Sequence, residues 1–379
     1  MKTDWPRKKI GEIARHSLGK MLDKAKNKGE PRPYLRNLNV RWFDFDLSDV
    51  LEMRFLPEEA DKYMAIKGDV LVCEGGYPGR AAIWNKDEPI YFQKALHRVR
   101  FHEPERNKWF LYYLHYRDLE GTLSRHFNGA GIQHFTGEAL AKFEMPYPPI
   151  AEQHRIIALL DEAFDGIATA KANAENNLHN ARALFESHLQ SVFTERGEGG
   201  VETTIDKIST NLDSKRIPIT KSDRKSGEYP YYGASGIVDY VADYIFDGDT
   251  LLVSEDGANL LARSTPIAFS VSGKYWVNNH AHILKFEHMA TQRFVEFYFA
   301  SIRLDEYITG AAQPKLNQKA LNSIPIPIPV SVAEQATIVE RIESLQEETQ
   351  RLESLYQRKL AALDELKQSL LHQAFSGQL

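Results

Sequence analysis

The chain carries its own repeat, and nothing else in it restricts the possible folds so strongly. Residues 129–193 match residues 310–375. Gly129-Ala130, Gln133, Ala139-Leu140, the run Met145-Pro146-Tyr147-Pro148-Pro149 and Glu152-Gln153 return as Gly310-Ala311, Gln313, Ala320-Leu321, Ile324 to Pro329 and Glu334-Gln335. Beyond the prolines the offset is a constant 182, so Ile156 answers Ile338, Leu160 answers Ile342, Leu184 answers Leu366 and Phe193 answers Phe375. Upstream, Gly68-Asp69-Val70-Leu71-Val72 is similar to Gly248-Asp249-Thr250-Leu251-Leu252, and Leu96-His97 before Phe101 is similar to Ala281-His282 before Phe286. Residues 14–67 and 209–247 share neither length nor sequence. One scaffold written twice, with a diverged part in each copy, predicts two domains of one fold.

Each equal segment reads as a long helix. Steps of four and three visit Ile338, Ile342, Leu345, Leu352, Leu363, Leu366 and Leu370 in the second copy. In the first they visit Ile156, Leu160, Ala163, Ile167, Ala174, Ala181 and Leu184, which is the spacing of a coiled-coil seam. Ser331 three residues before Glu334 forms a capping-box pattern, and Gly197 and Gly377 stand where helices end. Some 40 residues at about 1.5 Å each make a rod of roughly 60 Å. If a two-fold axis relates the copies, the rods run antiparallel with one globular domain at each end. The expected fold class is α+β: two α+β domains with pseudo-two-fold symmetry, separated by two long antiparallel helices in a coiled coil. Expected boundaries are 1–148 and 197–330 for the domains, and 149–196 and 331–379 for the helices. Segments 107–120 and 291–306 read as amphipathic helices within the domains.

Length and composition agree with two folded domains: 379 residues, 42% hydrophobic, with a single cysteine, Cys73, that excludes a disulfide framework and a thiolate metal site. No apolar run approaches the roughly 20 residues that span a bilayer, and Met1 to Pro6 has no apolar stretch behind it. A cytoplasmic protein with no membrane attachment is expected. The net charge of −5 does not exclude nucleic acid, because the excess acid sits mainly in the two helical segments: residues 1–150 carry 25 basic against 21 acidic side chains, residues 151–200 carry 4 against 8, residues 201–330 carry 13 against 15, and residues 331–379 carry 5 against 8.

Catalytic signatures are missing. There is no GxxxxGK[ST] loop, and Gly75-Gly76-Tyr77-Pro78-Gly79 and Gly233-Ala234-Ser235-Gly236 lack the dinucleotide fingerprint. Met145 to Pro149 has no Asn or Asp before its Pro-Pro. Glu365-Leu366-Lys367 is superficially like the Glu-x-Lys of nucleases but falls on the helical seam. His280-Ala281-His282 has no further ligand cluster at metal spacing. The expectation is a chain with no catalytic residues, no metal and no cofactor of its own.

The phrase Pro148-Pro149-Ile150-Ala151-Glu152-Gln153-His154-Arg155-Ile156, its partner Ala333-Glu334-Gln335-Ala336-Thr337-Ile338, and the ending Leu366 to Gly377 resemble the helical regions of type I restriction-modification specificity subunits. Tyr229 to Gly236, Asp256 to Leu260 and Asn278 to His282 resemble a recurrent target-recognition domain of that family. The resemblance covers nearly the whole chain and implies a non-catalytic reader of an asymmetric, two-part site in double-stranded DNA, one domain per half-site. It also implies two methyltransferase subunits that dock on the helices and methylate a flipped adenine with S-adenosylmethionine, and two motor-nuclease subunits that use ATP and Mg2+. A reader serving a related phage-defence assembly with a different effector is the alternative. A nucleic-acid-free coiled-coil scaffold explains the helices but not diverged segments on duplicated domains.

DNA-binding candidates come from the diverged segments: Lys20, Lys24, Lys26, Lys28, Arg32 and Arg36 in the first domain, Lys215, Arg216, Lys221, Arg224 and Lys225 in the second. Their lysines suit phosphates, which position without reading sequence. Arg80, Gln133 and Gln313 suit base edges, because planar groups make paired hydrogen bonds.

Overall fold

Val70-Leu71-Val72-Cys73 is apolar at every position, and the pleat sends alternate side chains to opposite faces. Val70 and Val72 enter one core with Val99, Trp109 and Phe110. Leu71 and Cys73 enter another with Leu35, Trp84 and Phe92. This strand is therefore covered on both sides, which explains its lack of polar alternation. The computed structural model describes residues 5–23, 25–194, 200–310 and 313–379. It divides into two units, one running to Ala174 and including Lys359–Leu379, the other spanning Glu175–Arg358. Each unit thus takes part of both long helices, Ile150–Thr194 and Val332–Ser376.

In the first unit a four-stranded sheet has the order Ala14–Leu18, Leu96–Phe101, Val70–Cys73, Ala81–Ile83, all neighbours antiparallel. A second has the order Leu51–Phe55, Glu30–Leu35, Ile90–Phe92, Met64–Ala65, with its central pair parallel. Arg7–Lys9 pairs with Glu144–Pro146 as a short ribbon. The second unit repeats this plan element for element: Ser209–Asn211, Ala281–Phe286, Thr250–Ser254, Ala268–Val271 form one sheet. Gly236–Val241, Ser226–Gly233, Lys274–Val277, Phe246–Asp247 form the other, again with a parallel central pair. Gly200–Thr204 pairs with Pro325–Pro329. Even the segments with unlike sequence thus adopt one topology, and both units are α+β.

Helix Asn107–Leu119 forms where expected and Met289–Ser301 covers the start of the expected 291–306 but ends five residues short of it; the first is not amphipathic, because Trp109 to Tyr116 are all buried. It lies between two layers. Phe110 meets Phe101 of the sheet, while Trp109, Tyr113 and Tyr116 meet Phe375 of the second long helix.

Within each unit the two long-helix segments run antiparallel. In the first, Arg155 donates to the Leu379 carbonyl at 2.8 Å and Lys171 pairs with Asp364 at 2.8 Å; in the second, Arg182 pairs with Glu353 at 3.0 Å. Ile156, Leu160, Ile167 and Ile342 are buried, and Ile338, Leu345, Leu363 and Leu370 are half-buried. The expected register fails at Leu184, Leu352 and Leu366, which are 58%, 37% and 46% exposed. Phe185, Glu353 and Lys367, one residue later, turn inward instead. The slip is confined to one side of the stripe: Ile342, Thr349, Tyr356, Leu363 and Leu370 keep the seven-residue spacing facing inward, as do Ile167, Ala174 and Ala181, whereas the intervening set turns outward at Leu184, Leu352 and Leu366.

The repeated Glu-Gln pairs have a structural purpose. Gln153 and Gln335 are buried and donate to the carbonyls of Pro148 (3.0 Å) and Pro329 (2.7 Å), tying each helix start to its proline strand. At Val332–Ser376 the Glu334 amide donates to Ser331 Oγ at 3.4 Å, and Gly377 ends the helix at φ 72°. Gly197 lies outside the described residues. Among the described residues no helix is long and apolar enough to cross a membrane.

Candidate nucleic-acid interface

Both units close a small hairpin by the same bonds. Asn128 and His134 exchange amide-to-carbonyl hydrogen bonds at 2.9 and 2.8 Å, and Thr309 and Lys315 do the same at 2.9 and 2.8 Å. The next amide, of Phe135 or Leu316, donates to the Glu74 or Glu255 carbonyl at 2.7 or 2.8 Å. A buried histidine then fixes the following carbonyl: His97 Nε2 lies 3.0 Å from Phe135 O, His282 Nε2 2.7 Å from Leu316 O. Finally Thr136 and Asn317 accept the amides of Ala139 and Ala320 and cap the next helix. His97 and His282 were visible in the sequence as members of the repeat, but nothing local marks a histidine as an anchor for a distant loop.

The two histidines differ at the other nitrogen. His97 Nδ1 is buried without a partner, and burial, against the pull of the Phe135 carbonyl, lowers its pKa to about 4. It is neutral and donates from Nε2. His282 Nδ1 instead meets Asp213 at 2.5 Å, within a network of Glu255, Arg216 and Lys315. Burial would raise the Asp213 and Glu255 carboxyls, but hydrogen bonds from His282 and Arg216 and the surrounding cations hold both below their ordinary values. Asp213, Glu255 and His282 come close enough to suggest a metal site. Their lone pairs are committed: both imidazole nitrogens face acceptors, and Arg216 and Lys315 already neutralise the acids. These residues do not fit a metal.

The hairpin register revises the sequence match. Asn128 corresponds to Thr309 and His134 to Lys315, so Gln313 stands opposite Ile132 and Gln133 opposite Pro314. Gln133 and Gln313 are both exposed, but they are not equivalent.

The basic candidates separate into two groups. Lys26, Lys28, Lys215, Lys221 and Lys225 are exposed, and of these only Lys26 has an ion pair among the described residues, 3.6 Å from Asp23. Arg32 is half exposed beside Glu30. The others hold the fold. Lys20 is buried, bonded to Glu59 (2.5 Å) and the Arg54 carbonyl (3.0 Å), which removes it from the phosphate-binding set. Arg36 pairs with Asp49 at 2.6 Å, Arg216 belongs to the network above, and Arg224 lies over Tyr231 while pairing with Asp239 at 3.1 Å. Arg80 donates to the Asn37 carbonyl at 3.0 Å and lies beside Tyr77. Each of these arginines has at least one guanidinium nitrogen engaged by a protein partner. Lys24 lies outside the described residues.

Known proteins share this arrangement. The family model of the type I restriction modification DNA specificity domain matches residues 2–179 and again 203–360. A putative type I restriction enzyme specificity subunit of Haemophilus influenzae, S.HindORF215P, is 35% identical over 141 residues, 37% of this chain and 36% of that protein. The type I restriction enzyme EcoDI specificity subunit of Escherichia coli is 42% identical over 66 residues, 17% of this chain and 15% of that protein. The matched stretches thus span little more than a third of these relatives at most. The HsdS subunit of Thermoanaerobacter tengcongensis superposes with TM-score 0.65 and 17% identity over 100% of this chain and 98% of that one. A chain solved in a study of complex assembly and conformational transition of the type I R-M system superposes with TM-score 0.77 and 16% identity over 99% and 98%. At such identities the likeness is one of fold, whereas the two domain matches cover most of the sequence, and on that ground this chain belongs to the type I restriction-modification DNA specificity domain family.

Proposed function

We propose that the chain is the non-catalytic DNA-reading subunit of a type I restriction-modification enzyme acting in the cytoplasm, each domain reading one half of an asymmetric bipartite site. Two methyltransferase subunits dock on the long helices, and two motor-nuclease subunits complete the enzyme. S-adenosylmethionine, ATP and Mg2+ belong to those partners. One observation carries the reading: a single topology occurs twice, with unlike sequence in residues 14–67 and 209–247, which suits one docking geometry on two different base sequences. Within those segments Lys26, Lys28, Lys215, Lys221 and Lys225 are the phosphate contacts, and exposed polar side chains between them meet base edges.

The test is to assemble the chain with its cognate methyltransferase and map adenine methylation on random-sequence DNA. A split motif with one modified adenine on each strand supports the proposal. A complex that binds DNA without methylating it points to a different effector. A complex without DNA affinity returns the chain to a scaffold role.

A further inference from the structure

The two hairpins share their closing hydrogen bonds and a left-handed glycine, not their side chains. Gly129 and Gly310 have φ 116° and 86°, and a Cβ there would sit 2.2 Å from Ile132 O or 2.5 Å from Gln313 O, so only glycine permits the turn. Every residue from Asn128 to His134 is exposed, Ile132 by 76%. The amides of residues 129–133, and those of Gly310 and Gln313, make no hydrogen bond among the described residues. Both tips are small in sequence, Gly-Ala-Gly and Gly-Ala-Ala, and neither carries an acid. A basic or ring-nitrogen side chain, His134 or Lys315, closes each hairpin at the same position. At the other positions they are unlike: Ile132 against Gln313, Gln133 against Pro314.

Two elements that keep their closure, glycine and anchor and vary their side chains are suited to a ligand feature present at both places. In DNA that feature is the phosphate, an acceptor for N–H groups whatever the base beside it. Resting on the DNA-reading function above, we propose that the 129–133 tip is a sequence-independent grip on the sugar–phosphate backbone of its half-site, with Gly310 and Gln313 holding the matching place in the other unit. Small residues let the main chain approach closely, and the His97 and His282 anchors fix the height at which each diverged segment meets the groove. Gln133 and Gln313 then serve the backbone and not base edges.

The test uses the chain assembled with its methyltransferase partner, and DNA in which single phosphates are replaced by methylphosphonates. Ala130→Pro removes one exposed amide and Ala130→Glu keeps it but adds a repelling charge; circular dichroism confirms that each is folded. Both variants are expected to lower affinity about tenfold for all sequences, the scale of a hydrogen bond to a charged group, with the methylated motif unchanged. Wild type should lose affinity at a specific methylphosphonate position to which Ala130→Pro is indifferent. Unchanged affinity in both variants overturns the grip, as does a changed motif in Ala130→Pro or Ile132→Ala, which would make the tip a base reader. If wild type prefers no sequence yet shows the phosphate coupling, the DNA-reading proposal fails while the grip stands; absence of all DNA binding sinks both.

Discussion

His115 is enclosed by Trp42 and Phe43, ring centroids 4.7 and 5.0 Å away, with both ring nitrogens buried and unpartnered. Burial, assisted by the charge of Lys367, lowers its pKa from 6.5 to about 3. A histidine depressed in the folded state is neutral there while the unfolded chain takes up the proton, so its contribution is intact above pH 6.5 and is lost as pH falls toward the folded value. Integrating from pH 8 to pH 5 gives a loss of about 2 kcal/mol, and His97, lowered to about 4, adds a similar amount. His115→Phe fills the same aromatic slot and cannot titrate. It should therefore retain about 2 kcal/mol more stability than wild type at pH 5 than it does at pH 8. Urea unfolding followed by tryptophan fluorescence reports this unit selectively, because Trp5, Trp42, Trp84 and Trp109 lie in it and only Trp276 lies in the other. If His115→Phe and wild type lose stability in parallel between pH 8 and 5, the buried neutral histidine is not the cause of the acid sensitivity.

The seam register predicts unequal costs for similar substitutions. Ile342→Ala should cost about 2–5 kcal/mol in urea unfolding, while Leu184→Ala and Leu366→Ala should stay within about 0.5 kcal/mol; equal costs would restore the strict heptad register. Asp213→Ala leaves the buried His282 Nδ1 without its direct acid, while Arg216 keeps Glu255, and should destabilise the second unit by about 3 kcal/mol, read as an earlier melting transition by calorimetry. For DNA binding, Lys26→Ala with Lys28→Ala should lower affinity for all sequences and reduce the log-affinity against log-salt slope by about 2. Lys20→Met should leave that slope unchanged in folded protein and reduce stability, because its ammonium is committed to Glu59; a matching fall in slope would return Lys20 to the phosphate contacts.

Much of the architecture was legible because the repeat is long and periodic. The helix starts could be placed from Pro149 and Ser331, and the apolar strands from Val70 and Leu251. What periodicity could not show was lateral contact. Helix Asn107–Leu119 has the composition of a one-sided helix only if one layer covers it, and its second layer comes from Phe375, more than 250 residues later. Likewise arginines chosen for charge in the diverged segments, Arg36, Arg216 and Arg224, found acids at Asp49, Glu255 and Asp239 that no local spacing connects to them. Lysines fared differently. A compact ammonium on a flexible stem is strongly hydrated and stays outside unless an acid is enclosed with it, as Glu59 is with Lys20, whereas a planar guanidinium satisfies several carbonyls at once and is drawn inward.

The same reasoning explains why Gln133 and Gln313, paired by identity in the sequence, stand one position apart in the structure. Matching glutamine to glutamine looked natural, since identity is what a sequence comparison rewards. Hydrogen bonding follows the main chain instead, and closure at His134 and Lys315 requires Ile132 and Gln313 to share a position. A side chain duplicated for recognition would have been held at equivalent positions; these were not, while the left-handed glycines, the carbonyls of Glu74 and Glu255, and the histidine anchors were. What the duplication preserved is therefore the closure and anchoring of the hairpin, which under the proposed DNA-reading function is the requirement imposed by a ligand whose backbone is the same in both half-sites and whose bases are not.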